Sequence, residues 1–447
     1  MNLVYNVKDK PKFGQLIVFA FQQLLAILAA TIAVPSIIGN GMSQSAALFG
    51  AGVGTIVYLL FTKFRSPVFL GSSFAFIGSM FAAFGGAVSV SAGHAGLIIG
   101  AIFAGLVYVV IALVVKFAGV EWIDKLMPPV VIGPTVAIIG LSLAGNAVGD
   151  SLKFANAVDS TYEMTTKGWI GFICALVTLF AVIISSVYGK KMAKLIPFII
   201  GILAGYLTAT VFTVIGVATA NESLQIIDFS IFKEMQWLPD FTFIEAAKGF
   251  KEVDAQYIAT LAVAYVPVAF VVFAEHIADH KNLSSIIGKE LLEDPGLHRT
   301  LLGDGVGSIF GAIFGGCPNT TYGESVGCVA ITGNASVVTI LATAIIAILV
   351  SFFGPFVTFL SSIPSCVMGG VCITLYGFIA VSGLKMIQNV DLGENRNLFV
   401  VSTILIAGIG GMAIKIGQIT LTSIACALIL GIIVNVVLSK KDKKSEN

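Results

Sequence analysis

Charge is scarce in this chain. Only 11% of its 447 residues are Asp, Glu, Lys or Arg, while 57% are hydrophobic. Soluble domains carry roughly 25% charged residues, so a water-covered surface of ordinary composition is excluded. The net charge of +1 leaves no basic field for a nucleic-acid partner. Cysteine is also sparse. Cys174, Cys317, Cys328, Cys366, Cys372 and Cys426 all lie in apolar stretches with no metal-ligand spacing, so they read as small packing residues. No nucleophile–base pair or metal cluster is evident, which argues against an enzyme and predicts no cofactor. His276 and His280 stand at i, i+4, but no third distant ligand accompanies them in the apolar core, so no metal site is expected.

What the chain has instead is oil in long runs. Apolar segments of about 20 residues recur from Phe13 to Leu438, each long enough to cross a hydrocarbon core of ~30 Å as a helix. The pattern predicts an all-α polytopic membrane protein with twelve to fourteen spans. The uncertain cases are the closely spaced pairs Ser308–Val329 and Val337–Phe356. The polar start MNLVYNVKDKPK predicts no cleavable signal peptide.

Basic residues set the orientation. They gather at Lys8, Lys10 and Lys12, Lys63 and Arg65, Lys116 and Lys125, and Lys190, Lys191 and Lys194. They return at Lys281, Lys289 and Arg299, at Lys385 and Arg396, and in the KKDKK tail, whereas GNGMSQS and GGAVSVSAGHAG carry none. Both termini are therefore expected in the cytoplasm, and fourteen spans fit the alternation best. The mixed-charge stretch Ala218–Asp254 is expected outside.

Three short echoes occur in the same order in each half: VFAFQQL (Val18–Leu24) with VFAEHI (Val272–Ile277), SSFA (Ser72–Ala75) with TTYG (Thr320–Gly323), and PPVVIG (Pro128–Gly133) with PSCVMG (Pro364–Gly369). Seven spans per half would make such repeats inverted, a common plan for transporters.

Polar residues interrupt the oil at two of these places. Gly71-Ser72-Ser73-Phe74 and Pro318-Asn319-Thr320-Thr321 combine helix breakers with hydroxyls that compete for backbone groups. Irregular backbone at membrane depth is tolerated only beside protein or a water-filled cavity. The segments read as discontinuous helices with free N–H groups, or alternatively as plain kinks. Glu275, Glu324 and Asp304 are acids inside or beside apolar runs. A charge at mid-bilayer costs about 2.5–3.5 kcal/mol on insertion scales, so such acids usually face a cavity or relay protons. The bland alternative, an interfacial acid at a helix end, applies most to Asp304 and least to Glu324. Carboxylates accept several hydrogen bonds, and desolvation favours a neutral carboxyl group. The combination suits a neutral planar solute rich in N–H groups, carried with a proton. Lysine and arginine are missing from these stretches, which disfavours an anion carrier; unlike carboxylates in one chain disfavour a channel.

GSSFAFI, AEHI, KELLEDPGLHRTLLGDG, PNTTYGE and the VMGG run resemble the bacterial uracil permeases of the nucleobase–ascorbate (nucleobase:cation symporter) family, over about Lys10 to Ser439. The resemblance implies fourteen transmembrane segments in a seven-plus-seven inverted repeat, residues 1–250 and 251–447, with short extended segments in broken spans 3 and 10, at Val68–Ser73 and Cys317–Thr321. It implies a core domain of about 13–118 and 255–357 and a gate domain of about 124–217 and 364–438. Glu275 and Glu324 would hydrogen-bond uracil, and the amides of Phe74 and Gly323, next to Ser73, would meet its carbonyl oxygens. Ala30 and Tyr322 would shape the pocket, and Tyr376 would face it. Glu275, with Asp279 and Asp304, would serve ion coupling. The implied protein is a uracil:proton symporter working by alternating access in the bacterial cytoplasmic membrane, as a homodimer.

Two residues depart from that pattern. Asp279 stands where the uracil permeases carry a histidine one turn after the first glutamate, and Gln22-Gln23 where they carry Gln-His. Two acids one turn apart resist ionising together, so a sodium-coupled carrier is an alternative. Asp304 resembles the xanthine and urate carriers, the other alternative, while Glu324 points to uracil.

Overall fold

A charge-poor chain must satisfy its backbone within itself, and here it does so almost entirely as helix. The computed structural model describes residues 3–119, 128–159, 161–190, 192–233, 235, 237–388, 390–416 and 419–445. Lys125, Lys191 and the expected start of the gate at residue 124 lie outside the described residues.

The first half contains α1 (Phe13–Ile38), α2 (Gln44–Phe61), the short strand β1 (Leu70–Ser72) leading into α3 (Ile77–Gly86), and α4 (Val90–Ala118). It continues with α5 (Pro129–Ser151), α6 (Thr166–Tyr188) and α7 (Pro197–Ala218). The second half repeats the plan with α8 (Ala255–Ile287), α9 (Leu297–Gly315), strand β2 (Asn319–Thr321) leading into α10 (Gly323–Thr332), and α11 (Val337–Val350). Then follow α12 (Ser365–Met386), α13 (Asn395–Ile409) and α14 (Ser423–Ser445).

Eight of the described helices are long and apolar enough to cross a membrane, and Val337–Val350 with Gly354–Ser361 makes a ninth that bends by 83°. The apolar helices Phe74–Gly86, Asn395–Ile409 and Ser423–Ser439 are shorter. With α9 and α10, whose acids lower their hydropathy, the count reaches the expected fourteen and the inverted repeat fits. Water-side starts are capped by side chains: Ser43 accepts from Ala46 N–H, Ser89 from Ala92, Thr165 from Gly168 and Asp254 from Tyr257.

Helices α1–α4 pack mainly on α8–α11, and α5–α7 mainly on α12–α14. Helix α2 crosses α9 closely. A Cβ on Gly54 would lie 2.7 Å from the Gly307 carbonyl oxygen, and one on Gly50 would lie 2.6 Å from that of Gly311. Hydrocarbon gives no hydrophobic drive between helices, so small residues that admit close backbone contact supply the packing. This crossing fixes α9, and with it the approach to β2.

Candidate binding site between two broken spans

Gly316, at φ +73°, ends α9 in a conformation that favours glycine, and the chain leaves extended through Cys317 and Pro318. The mirror-image break follows Pro67. The two extended segments meet as an antiparallel pair with Leu70 opposite Thr321, Gly71 opposite Thr320 and Ser72 opposite Asn319. Ser73 N–H donates to the Pro318 carbonyl at 2.9 Å, and Tyr322 N–H to the Phe69 carbonyl at 3.2 Å. Every residue of both strands is buried. The pair thus answers how non-helical backbone survives at membrane depth: each break satisfies the other.

Both strands run straight into helices. Phe74 opens a 3-10 turn before α3, and Gly323 opens α10; neither start has a side-chain cap. No intrahelical carbonyl can reach their N–H groups.

A cavity of about 420 Å³ lies in front of these two starts. That is within the usual ~300–1,000 Å³ range of small-molecule sites. Phe74 and Ala75 form one wall with Thr320, Tyr322, Gly323 and Glu324; Glu275, Ala278 and Asp279 form another. The three acceptor-bearing acids therefore share one compartment. Glu275 is no helix-end acid, because α8 runs on to Ile287. Positions 275, 278 and 279 share one face at helical spacing, while His276 and His280 point away and are fully buried.

The remaining residues singled out in the sequence stand around this cavity. Ser73 is buried in the strand pair beside Phe74. Ala30 is buried on α1 one turn beyond Ala26, and it is Ala26 that reaches the wall. Tyr376 stands behind Phe74 in an edge-to-face contact with centroids 6.0 Å apart, outside the cavity lining. Asp304 is completely buried behind the strand, with Oδ2 2.7 Å from His276 Nδ1.

Sequence reasoning missed several participants. Lys194, from the short helix Met192–Leu195, lines the cavity although no basic residue lies in the broken segments themselves. Its wall opposite the acids is apolar: Val136 and Ile139 from α5, Phe198 from α7, Leu375 and Ile379 from α12. Gln23, flagged only as an unusual residue, donates to Ser325 Oγ at 2.5 Å, and the same oxygen accepts from Phe69 N–H at 3.0 Å. One serine thus ties α1 and the first break to α10. Asn319 donates to the Gly50 carbonyl at 3.1 Å and anchors β2 to α2.

Residues 14–417 match the model of the Permease family. The chain is 40% identical to a uracil permease of Bacillus caldolyticus, covering 99% of this chain and 96% of that one. It is 38% identical to a uracil permease of Bacillus subtilis (97% and 94% covered) and 33% identical to one of Escherichia coli (96% and 92%). Among solved structures, the transmembrane domain of the cyanobacterial bicarbonate transporter BicA superposes with a TM-score of 0.64 at 17% identity, covering 96% of this chain and all of that one. The murine anion transporter Slc26a9 gives 0.65 at 12% identity, covering 97% and 69%. These structural likenesses establish the fold alone. The length and identity of the sequence matches establish more: the chain belongs to the Permease family, in company with bacterial uracil permeases.

Proposed function

We propose that this multi-pass membrane protein is a secondary active transporter that imports uracil across the bacterial cytoplasmic membrane by proton symport and alternating access. The observation that carries the reading is that Glu275 and Glu324, on different halves of the chain, line one cavity beside two uncapped helix starts. Uracil offers two N–H donors and two carbonyl acceptors on a flat ring. Carboxylates on α8 and α10 accept from its N–H groups, and the backbone N–H groups at Phe74 and Gly323 donate to its oxygens. Tyr322 and Ala26 bound the ring plane. The three carboxyl groups in the cavity disfavour an anion. Coupling falls to Glu275 and Asp279, with Asp304 behind them.

The packing preference of α1–α4 for α8–α11, and of α5–α7 for α12–α14, supports a core and a gate. The cavity lies where the two groups face each other, so rocking one against the other would expose it to either side. Both termini belong on the cytoplasmic side with Lys194 at the mouth, and two copies associate through the gate.

Equilibrium binding of labelled uracil to the purified protein tests the substrate. Displacement by unlabelled uracil but not by xanthine is expected. Equal displacement by xanthine would assign the chain to purine transport instead.

A further inference from the structure

Behind the strand that carries the site lies a buried polar cluster that substrate recognition does not use. Its members come from four helices: His276 and His280 on α8, Asp304 and Thr300 on α9, Tyr58 on α2 and Tyr108 on α4. Hydrogen-bond logic fixes much of its protonation. His280 Nδ1 lies 2.7 Å from the His276 carbonyl, which only accepts, so Nδ1 carries the hydrogen. Its Nε2, 2.7 Å from the Tyr58 hydroxyl, then accepts, and Tyr58 sits 2.7 Å from Ser66 Oγ. His280 is thereby a neutral, fully satisfied imidazole. His276 differs. Thr300 donates its one hydroxyl proton to the Leu297 carbonyl at 3.0 Å, so His276 Nε2, 2.9 Å from Thr300 Oγ1, is the donor there. That leaves a single proton between His276 Nδ1 and Asp304 Oδ2 across 2.7 Å. The pair is neutral overall wherever that proton sits.

Among the described residues, Thr321 stands between this pair and the cavity. Thr321 ends β2, immediately before Tyr322 and Gly323. Its hydroxyl donates to Asp279 Oδ2 at 2.9 Å, on the cavity side. On its other side the strand packs against α9, the helix that carries Asp304. We propose that Thr321 is the positioning residue that couples the cavity carboxylate Asp279 to the buried Asp304–His276 pair, and through it ties proton entry to the strand that presents Gly323 and Glu324. The idea rests on the proton-symport reading above.

The coupling works as follows. An ionised Asp279 accepts the Thr321 hydroxyl and holds the end of β2 in register. A proton taken up from the cavity onto Asp279 removes the charged acceptor, so the Thr321 hydroxyl loses its charge-assisted bond. The strand end, which also packs against α9, is released at the moment the site gains positive charge. Groups facing Asp279 that share its proton balance are Glu275 on the same helix, Glu324 on α10, Asp304 on α9 and Tyr58 on α2. Those facing Asp304 include His276, Tyr58 and Tyr108.

Thr321→Val keeps the β-branched shape and removes the hydroxyl; Thr321→Ser keeps the hydroxyl and removes the methyl group. Both are reconstituted beside wild type. Three readouts are compared: uracil Kd, gradient-free uracil exchange as a function of pH, and accumulation driven by an imposed pH gradient. Losing a hydrogen bond to a charged group predicts gradient-driven accumulation lower by on the order of 10-fold in Thr321→Val. Accumulation should fall by more than any change in Kd explains and exchange should lose its dependence on pH, while Thr321→Ser behaves as wild type. Thr321→Val accumulating normally, losing binding in proportion, or being matched by Thr321→Ser would overturn the assignment. Wild-type accumulation of uracil that ignores the pH gradient altogether would overturn proton symport itself, and is read before any variant is.

Discussion

The Tyr322 hydroxyl donates to the Ser72 carbonyl at 2.8 Å, and its ring covers Gly71 so closely that a Cβ there would lie 2.4 Å from ring carbons. One aromatic residue from the second half therefore locks the first-half break from above while forming a wall of the cavity. Tyr322→Phe leaves a buried carbonyl without this donor, at about 1–3 kcal/mol. Gly71→Ala forces the ring off its seat. Both should lower the Tm of the purified protein and weaken uracil binding together, with Gly71→Ala the more severe. An unchanged Tm with normal binding in Gly71→Ala would contradict the described contact.

Glu324 stands in the first turn of α10 and lines the cavity. Glu324→Gln keeps the shape, removes the charge and turns one acceptor into a donor. Sites built to pair a ligand N–H lose heavily when the partner is mismatched, so uracil affinity should fall by on the order of 100-fold. Tm should hardly move. Tight binding retained in Glu324→Gln would remove this residue from the site.

The α2–α9 crossing predicts a sharp contrast between two glycines. A side chain at Gly54 would strike the Gly307 carbonyl oxygen at 2.7 Å and Asn319 Nδ2 at 2.4 Å, whereas Gly145 has nothing within 4 Å. Gly54→Val overpacks a backbone-to-backbone contact, at a cost of roughly 1–3 kcal/mol or more. It should yield little monodisperse protein in detergent, and Gly145→Ala should behave as wild type.

Between α8 and α9, Asp294 meets Lys289 Nζ and Arg65 Nη1, each at 2.6 Å. Its bond to Lys289 first, and then that to Arg65, pull its carboxyl down to about 2. A depressed folded-state value means that its contribution is complete above the ordinary carboxylate range, near pH 4, and disappears as pH falls through about 2. Asp294→Asn should therefore lower Tm slightly at pH 7 and show no difference from wild type at the acid end. Because these side chains are partly exposed, 0.5 M salt should shrink the gap.

Much of this was legible in the sequence, and the physical reasons are local. Proline, glycine and paired hydroxyls inside apolar runs marked both breaks, because hydrocarbon tolerates such residues only for cause. Glu275 and Asp279 at i, i+4 announced a shared helix face. The strand pairing was not legible: three-residue strands carry no periodicity, and their register is set by Gly71 against Tyr322 and by Asn319 against α2. Thr321 and Asp279 stand 42 residues apart and meet only because β2 lies across α8. Lys194 entered the sequence reading only as an orienting charge, because it reaches the cavity from a separate element between α6 and α7. The apolar wall from α5 and α12 looked like any membrane span; nothing in Val136 or Leu375 distinguishes cavity from lipid. His276 and His280 stood out in the sequence only as a spacing without a third ligand; the bonds of His280 to Tyr58 and the His276 carbonyl emerge only in three dimensions.

The most direct test of the central claim is uptake of labelled uracil into proteoliposomes under an imposed pH gradient, acid outside, with sodium absent. The account predicts accumulation that collapses on adding a protonophore and is untouched by excess xanthine. Accumulation that appears only with sodium, or that xanthine abolishes, would contradict it.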